Sequence, residues 1–216
     1  YRSIKNIIVH HMAGNLSVET CGNVFAPSSR QASSNYGIGS DGRIACYVQE
    51  EDRAWTTGNG IDHDSITIEV ADDVIGGSWH SSAAAMQSLV KLCADICRRY
   101  GFRLNYTGGK SGNLLMHKWY QATDCPGAYL ESQFPWIAQE TNKLVDDPNY
   151  SVPAPVGGIT ITTPTAPGTL SVDGSCGPDT VKKWQSVMGT YVDGVVSGQL
   201  IPDCVTYWRP NLYDGC

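Results

Sequence analysis

Between Asn149 and Val172 the chain carries no charged residue, and this stretch, NYSVPAPVGGITITTPTAPGTLSV, most constrains how the rest can fold. A run so rich in Pro, Gly, Thr and Ser buries too little apolar surface to fold alone, and reads as a semi-extended spacer. It divides the 216 residues into a first domain over 1–145, a linker over 146–170 and a small tail over 171–216. The first part is long enough for one hydrophobic core. The tail, at about 45 residues, is short for a core of its own, so it is expected to lean on the first domain or to continue past Cys216.

Charge and hydropathy remove two classes of function. Fifteen Lys and Arg against 21 Asp and Glu give a net charge of −6, without the basic cluster of a nucleic-acid binder. No run approaches the ~18 uninterrupted apolar residues of a membrane span. The opening YRSIKNIIVHH runs straight into an apolar strand and shows no signal peptide, so synthesis in the cytoplasm is expected. The eight cysteines do not read as a disulfide scaffold. In SSAAAMQSLVKLCADICRRYG, the residues Met86, Leu89, Val90, Cys93, Ile96, Cys97 and Tyr100 recur at helical spacing, which puts Cys93 and Cys97 on one apolar face. Cβ atoms roughly 5–6 Å apart at i, i+4 exceed the roughly 3.5–4.5 Å of a relaxed disulfide, so both are expected as reduced core thiols.

Strands and helices alternate along the first domain. Strands are expected over Ile4–His11 and Ser65–Ala71, with a short one over Asn113–Met116. A hairpin of Asn35–Gly39 and Arg43–Gln49 is expected about the turn Ser40-Asp41-Gly42. Helices are expected over 82–100 and from Pro126 to about Gln139. The pattern gives an α/β (mixed α+β) fold, a central mixed β-sheet flanked by helices, with the small C-terminal module appended.

Two segments carry candidate metal ligands. In IIVHHMAG the side chains alternate, so Ile8 and His10 share one face and Val9 and His11 the other; at most one of the two histidines can enter a given site. In LLMHKWYQATDCPG, His117 closes an apolar strand and Cys125 follows eight residues later. Three protein ligands with an open fourth position is the arrangement of a catalytic zinc site. In DSITIEVAD, Ile66, Ile68 and Val70 form one face, leaving Thr67 and Glu69 on the other.

The blocks IIVHHMAG, ASSNYGIGSDGRIACYV, RAWTTGN, DSITIEVAD and MHKWYQATDCPG resemble, in order and spacing, the zinc-dependent N-acetylmuramoyl-L-alanine amidases of the amidase type 2 family. That family also includes peptidoglycan-recognition proteins and many phage endolysins. The resemblance spans about residues 5–130 and implies one catalytic Zn2+ held by His10, His117 and Cys125, with Glu69 as the acid beside the metal-bound water. It also implies bacterial peptidoglycan as the partner, with action at the cell wall as in an endolysin. Where several relatives place a Tyr near the start of the hairpin, this chain has Ser34, followed by Asn35 and Tyr36, and these with Trp55 are the expected substrate contacts. Where others carry a Lys two residues before the third ligand, this chain has Thr123, whose hydroxyl donates a hydrogen bond but no charge. Oxyanion stabilisation then falls on zinc, with Thr123 secondary. His11, His63 and His80 are expected to be structural. In the tail, VDGSCGPDTVKKWQSVMG resembles peptidoglycan-binding repeats, and the closing YDGC suggests a second repeat cut short. The rival class is a non-catalytic peptidoglycan-recognition protein. A glycosidase would need paired carboxylates ~5–9.5 Å apart, and no such pair is evident.

Overall fold

A computed structural model of the chain describes residues 2–155, which lie within the first of its two units, residues 1–159. In chain order the elements are β1 (Asn6–His11), α1 (Val18–Phe25), β2 (Tyr36–Ile38), β3 (Ile44–Cys46), β4 (Ser65–Val70), α2 (Ala83–Tyr100), β5 (Leu114–Met116) and α3 (Ala128–Asp146). The strands form one five-stranded sheet in the order β3-β2-β4-β1-β5. Strands β2, β4, β1 and β5 run parallel, and β3 joins β2 antiparallel at the edge. The mixed sheet with helices is the architecture expected from the alternating pattern.

The period-two alternation divides the sheet cleanly. Ile7, Val9, Ile66, Ile68, Val70, Leu114 and Met116 turn to one face, where Met86, Leu89, Cys93 and Ile96 of α2 and Leu130, Phe134 and Ile137 of α3 close a core. Ile8, His10, Thr67 and Glu69 are left on the opposite face. Helix α2 begins where Ser82 accepts a hydrogen bond from the Ala85 amide and ends at Gly101, whose φ of 73° suits a residue without Cβ. Cys93 and Cys97 are buried free thiols on its inner face, as the spacing predicts.

Four local features differ from the sequence reading. The hairpin strands are shorter than expected, because the Gly39–Gly42 turn takes up the residues on either side through Gly39 N–Arg43 O and Gly42 N–Gly39 O hydrogen bonds of 2.9 Å. Helix α1 was not foreseen: eight residues interrupted by Gly22 are too few for a periodic signal, and only Val18 and Cys21 are buried on it. Helix α3 starts at Ala128, after Pro126 and Gly127, and runs past Gln139 to Asp146 because Thr141 and Leu144 continue its buried face. The chain also stays packed beyond residue 145. Val152 is buried against Val90, Ala94 and Leu144, and Gln87 Nε2 donates to its carbonyl at 2.9 Å. The greater part of the linker, the tail over 171–216 and its repeat-like motif lie outside the described residues. Among the described residues no helix is long and apolar enough to cross a membrane.

Gly37 on β2 lies beneath Tyr47, whose hydroxyl donates to the Val18 carbonyl at 2.7 Å and so pins α1 to the sheet. A Cβ at Gly37 would collide with the Tyr47 ring and hydroxyl. Gly37→Ala is therefore expected to cost about 1–3 kcal/mol, read as a lowered midpoint in denaturant with the slope unchanged.

Candidate metal centre and active site

Strands β1 and β4 pair with His10 opposite Glu69. Facing positions on neighbouring strands project to the same side about 4.8 Å apart, so a buried imidazole and a carboxylate stand side by side at the carboxyl ends of parallel strands, where open α/β sheets place their ligands. Strand β5 pairs Met116 with Val9, and His117 follows at once in a short 3₁₀ turn, His117–Trp119. The Lys118 amide donates to the Cys125 carbonyl at 3.0 Å, folding the loop back so that Cys125 returns to the end of β1.

His10, His117 and Cys125 each offer one ligand atom, and these three atoms lie within 4.8 Å of one another. Cys125 Sγ is 3.5 Å from His10 Nδ1, and the two imidazole centroids are 4.7 Å apart. His10 Nε2 is buried without a hydrogen-bond partner among the described residues. Two histidines and a thiol drawn together with an unsatisfied buried nitrogen fit a cation, since without one the cluster has desolvated polar atoms and gains little in return.

The electrostatics point the same way. Burial, with His117 and His11 nearby, holds His10 well below the usual histidine range, and burial also lowers His117 despite its hydrogen bond to Gln121. Both rings are therefore neutral, the form that ligates. Burial, reinforced by the charge of Glu69, pushes the Cys125 thiol far up. Glu69, half-buried in the pocket wall, is pushed up to about 8 by desolvation and then by Asp72, with Arg30 pulling the other way. A cation among the three ligands would reverse the shifts of Cys125 and Glu69.

These groups line a cavity of about 280 Å³ that also takes in Thr123 and Trp55. Thr123 Oγ1 accepts from the Cys125 amide at 3.2 Å, and Trp55 is 53% exposed at the mouth. A wider hollow of about 570 Å³ between α1 and β3 shares no residue with it, and its charged groups, Glu19 and Arg43, pair with each other.

The expected contacts Ser34, Asn35 and Tyr36 do not reach the cavity. Ser34 is fully buried and its hydroxyl donates to the Thr67 carbonyl at 3.0 Å. Asn35 is fully buried too, taking the Thr67 amide on Oδ1 at 3.1 Å. Tyr36 packs on the helical side of the sheet and donates to Glu50 at 2.7 Å. Their hydrogen-bonding groups are spent on the fold, and it is Ser33, one residue earlier, that faces the cavity together with Thr56. His11 borders it as well, with Nδ1 3.1 Å from Asp72 Oδ1. His80 Nδ1 lies 2.6 Å from Asp73, and His63 Nε2 is 3.1 Å from Arg53. Arg30 and the α1 side chains Cys21, Val24 and Phe25 complete the wall. The α1 contributions have no signature in the sequence because α1 is too short to show a period.

The raised Glu69 carboxyl gives metal-free protein a distinctive pH response. The unfolded chain loses this proton near 4.5 and the folded one near 8, so between those values the folded state binds more protons and stability falls as pH rises. His10, held neutral when folded, gives the opposite slope below about pH 6.5. Thermal melts of chelated wild type and Glu69→Gln across pH 5–8 separate the two: the wild type is expected to lose stability relative to the variant as pH rises.

The sequence profile of the N-acetylmuramoyl-L-alanine amidase family matches residues 1–128. No curated protein sequence matches the chain. Among solved structures, the amidase LysC from Clostridium intestinale URNW superposes with a TM-score of 0.52 at 19% identity, over 65% of this chain and 87% of its own. The catalytic domain of PlyG gives 0.55 at 17% identity, over 70% and 88%. AmiD from E. coli, solved with anhydro-N-acetylmuramic acid-L-Ala-D-γ-Glu-L-Lys, gives 0.50 at 24% identity, over 65% and 58%. At such identities the superpositions speak to the fold alone. The profile, however, covers 128 of 216 residues and runs through every strand of the sheet and both segments that converge on the ligand cluster, so this chain belongs to the N-acetylmuramoyl-L-alanine amidase family, whose members hydrolyse an amide of peptidoglycan.

Proposed function

We propose that the cation is zinc and that the domain hydrolyses the amide joining N-acetylmuramic acid to the L-alanine of the stem peptide, with Glu69 as general base. The observation that carries this is the convergence of two neutral imidazoles and a thiol beside a carboxylate in the wall of one open cavity. The donor set favours zinc: imidazole and thiolate are poor partners for magnesium or calcium, and three protein ligands leave a coordination position for a reactant.

Zinc at His10, His117 and Cys125 would supply Lewis acidity to the amide carbonyl and to an attacking water. Glu69 takes the proton of that water as its oxygen adds to the lactyl carbonyl carbon. It returns the proton to the alanine nitrogen as the C–N bond breaks, leaving a lactyl carboxylic acid and a free amine; the acid's proton then passes to the amine or to solvent. Beside a cation Glu69 would be deprotonated at neutral pH, the form a general base needs. Thr123 Oγ accepts from the Cys125 amide, which leaves its own proton free to donate towards the carbonyl oxygen. A single such donor contributes up to about 3–4 kcal/mol in sites of this type. Trp55 offers an exposed aromatic face at the entrance for the sugar.

Peptidoglycan digested with zinc-loaded protein is expected to yield new L-alanine amino termini and no new reducing sugars, with a chelator abolishing both binding of metal and release of amine. Binding to peptidoglycan without any new amine would favour the recognition-protein reading instead. Glu69→Gln is expected to retain zinc while kcat falls about 10²–10⁴-fold, whereas Cys125→Ser loses metal and activity together. Zinc binding at pH 7 is expected to release one proton from Cys125 and most of a second from Glu69, measured by calorimetry in buffers of different ionisation enthalpy.

A further inference from the structure

Arg30 is the one Lys or Arg among the residues lining the active-site cavity. It closes the short turn Ser28–Arg30, and it is exposed. Other arginines of the domain are engaged: Arg43 with Glu19 and Asp41, Arg99 with Glu50 and Asp95, Arg103 with Asp146, and Arg2 with a ring of backbone carbonyls. Among the described residues no acid lies within ion-pair distance of Arg30, and Glu69 is the one acid that shares the cavity with it. A guanidinium that lines a substrate cavity without an acid to pair with is a receptor for an anion on that substrate, because its planar donors match a carboxylate in bidentate fashion.

The proposed substrate carries such an anion in the right place. A γ-linked glutamate after L-alanine, as in the ligand solved with AmiD, keeps its α-carboxylate free. Consecutive α-carbons of ordinary peptides are about 3.8 Å apart, so this carboxylate lies roughly one residue beyond the scissile amide. Arg30 is an exposed member of the cavity wall, whereas His10 and Cys125 are buried, so an anion carried beyond the scissile amide is the part of the substrate it suits.

We propose that Arg30 binds the free α-carboxylate of the second stem-peptide residue and so makes the enzyme prefer stem peptides with that carboxylate over those in which it is a carboxamide. This rests on the amidase reading above, and Arg30 is a specificity residue within it.

The test uses N-acetylmuramoyl-L-alanyl-D-γ-glutamyl-L-lysine and its counterpart with the glutamate α-carboxyl amidated. With zinc-loaded wild type, kcat/KM is expected to favour the carboxylate about fivefold, the range of an exposed ion pair, with the difference in KM and shrinking as salt is raised. R30Q is expected to bring the ratio close to one, and R30K to keep part of it; melting curves establish that both variants are folded. Binding of the two peptides to zinc-loaded E69Q, with and without R30Q, reads the same preference without turnover. Equal kcat/KM for both peptides in the wild type, or an equal loss of kcat on both in R30Q, would overturn the assignment. A carboxylate preference in binding, with no hydrolysis by the wild type, would support Arg30 as the reader and overturn the hydrolytic reading instead.

Discussion

The parallel pairing of β1 with β4 is the constraint on which the site depends. Its register sets His10 beside Glu69 while Ile7, Val9, Ile66 and Ile68 turn into the core. Because the side-chain period of a strand is two, a slip of one residue would move the whole apolar set off the helical layer and present its neighbours instead. Burial of four branched side chains, each contributing about 1.5–3 kcal/mol relative to exposure, therefore also fixes the distance between the His10 imidazole and the Glu69 carboxyl. The core and the chemistry are two faces of one register.

The price of that arrangement is a cavity in which burial disfavours the charged form of four of its titratable groups. His10 and His117 are kept neutral, the Cys125 thiol is kept protonated, and Glu69 holds its proton to about pH 8. A single divalent cation would offset these penalties, by accepting the imidazole lone pairs and stabilising the thiolate and carboxylate. Metal binding and assembly of the site would then be one event.

The polar residues beside the catalytic face serve the cavity indirectly. Thr67 Oγ1 is met by the Asn35 amide at 3.1 Å and by Thr56 Oγ1 at 2.8 Å, and the Trp55 amide donates to Ser33 Oγ at 2.9 Å. This network clamps the segment before β2 and the segment around Trp55 onto the sheet. Ser34 and Asn35 are buried within it, while Ser33, Trp55 and Thr56 both take part in the clamp and line the cavity.

Strand alternation and helical spacing alone revealed the two faces of β1 and β4, the buried thiols of α2 and the pair Thr67–Glu69, because those patterns are local and long enough to repeat. Ordered blocks of residues carried the resemblance that singled out His10, His117 and Cys125. Composition and spacing could not choose His10 over His11, since adjacent residues on a strand differ only in which face is later covered. Nor could they reveal α1, too short to repeat, or Arg30, which becomes notable only because, among the described residues, the fold leaves no acid within ion-pair distance of it. The sequence determined which residues could share a face; the packing of helices on one side of the sheet decided which face became the core and which the site, because only tertiary contact removes water from one and leaves it at the other.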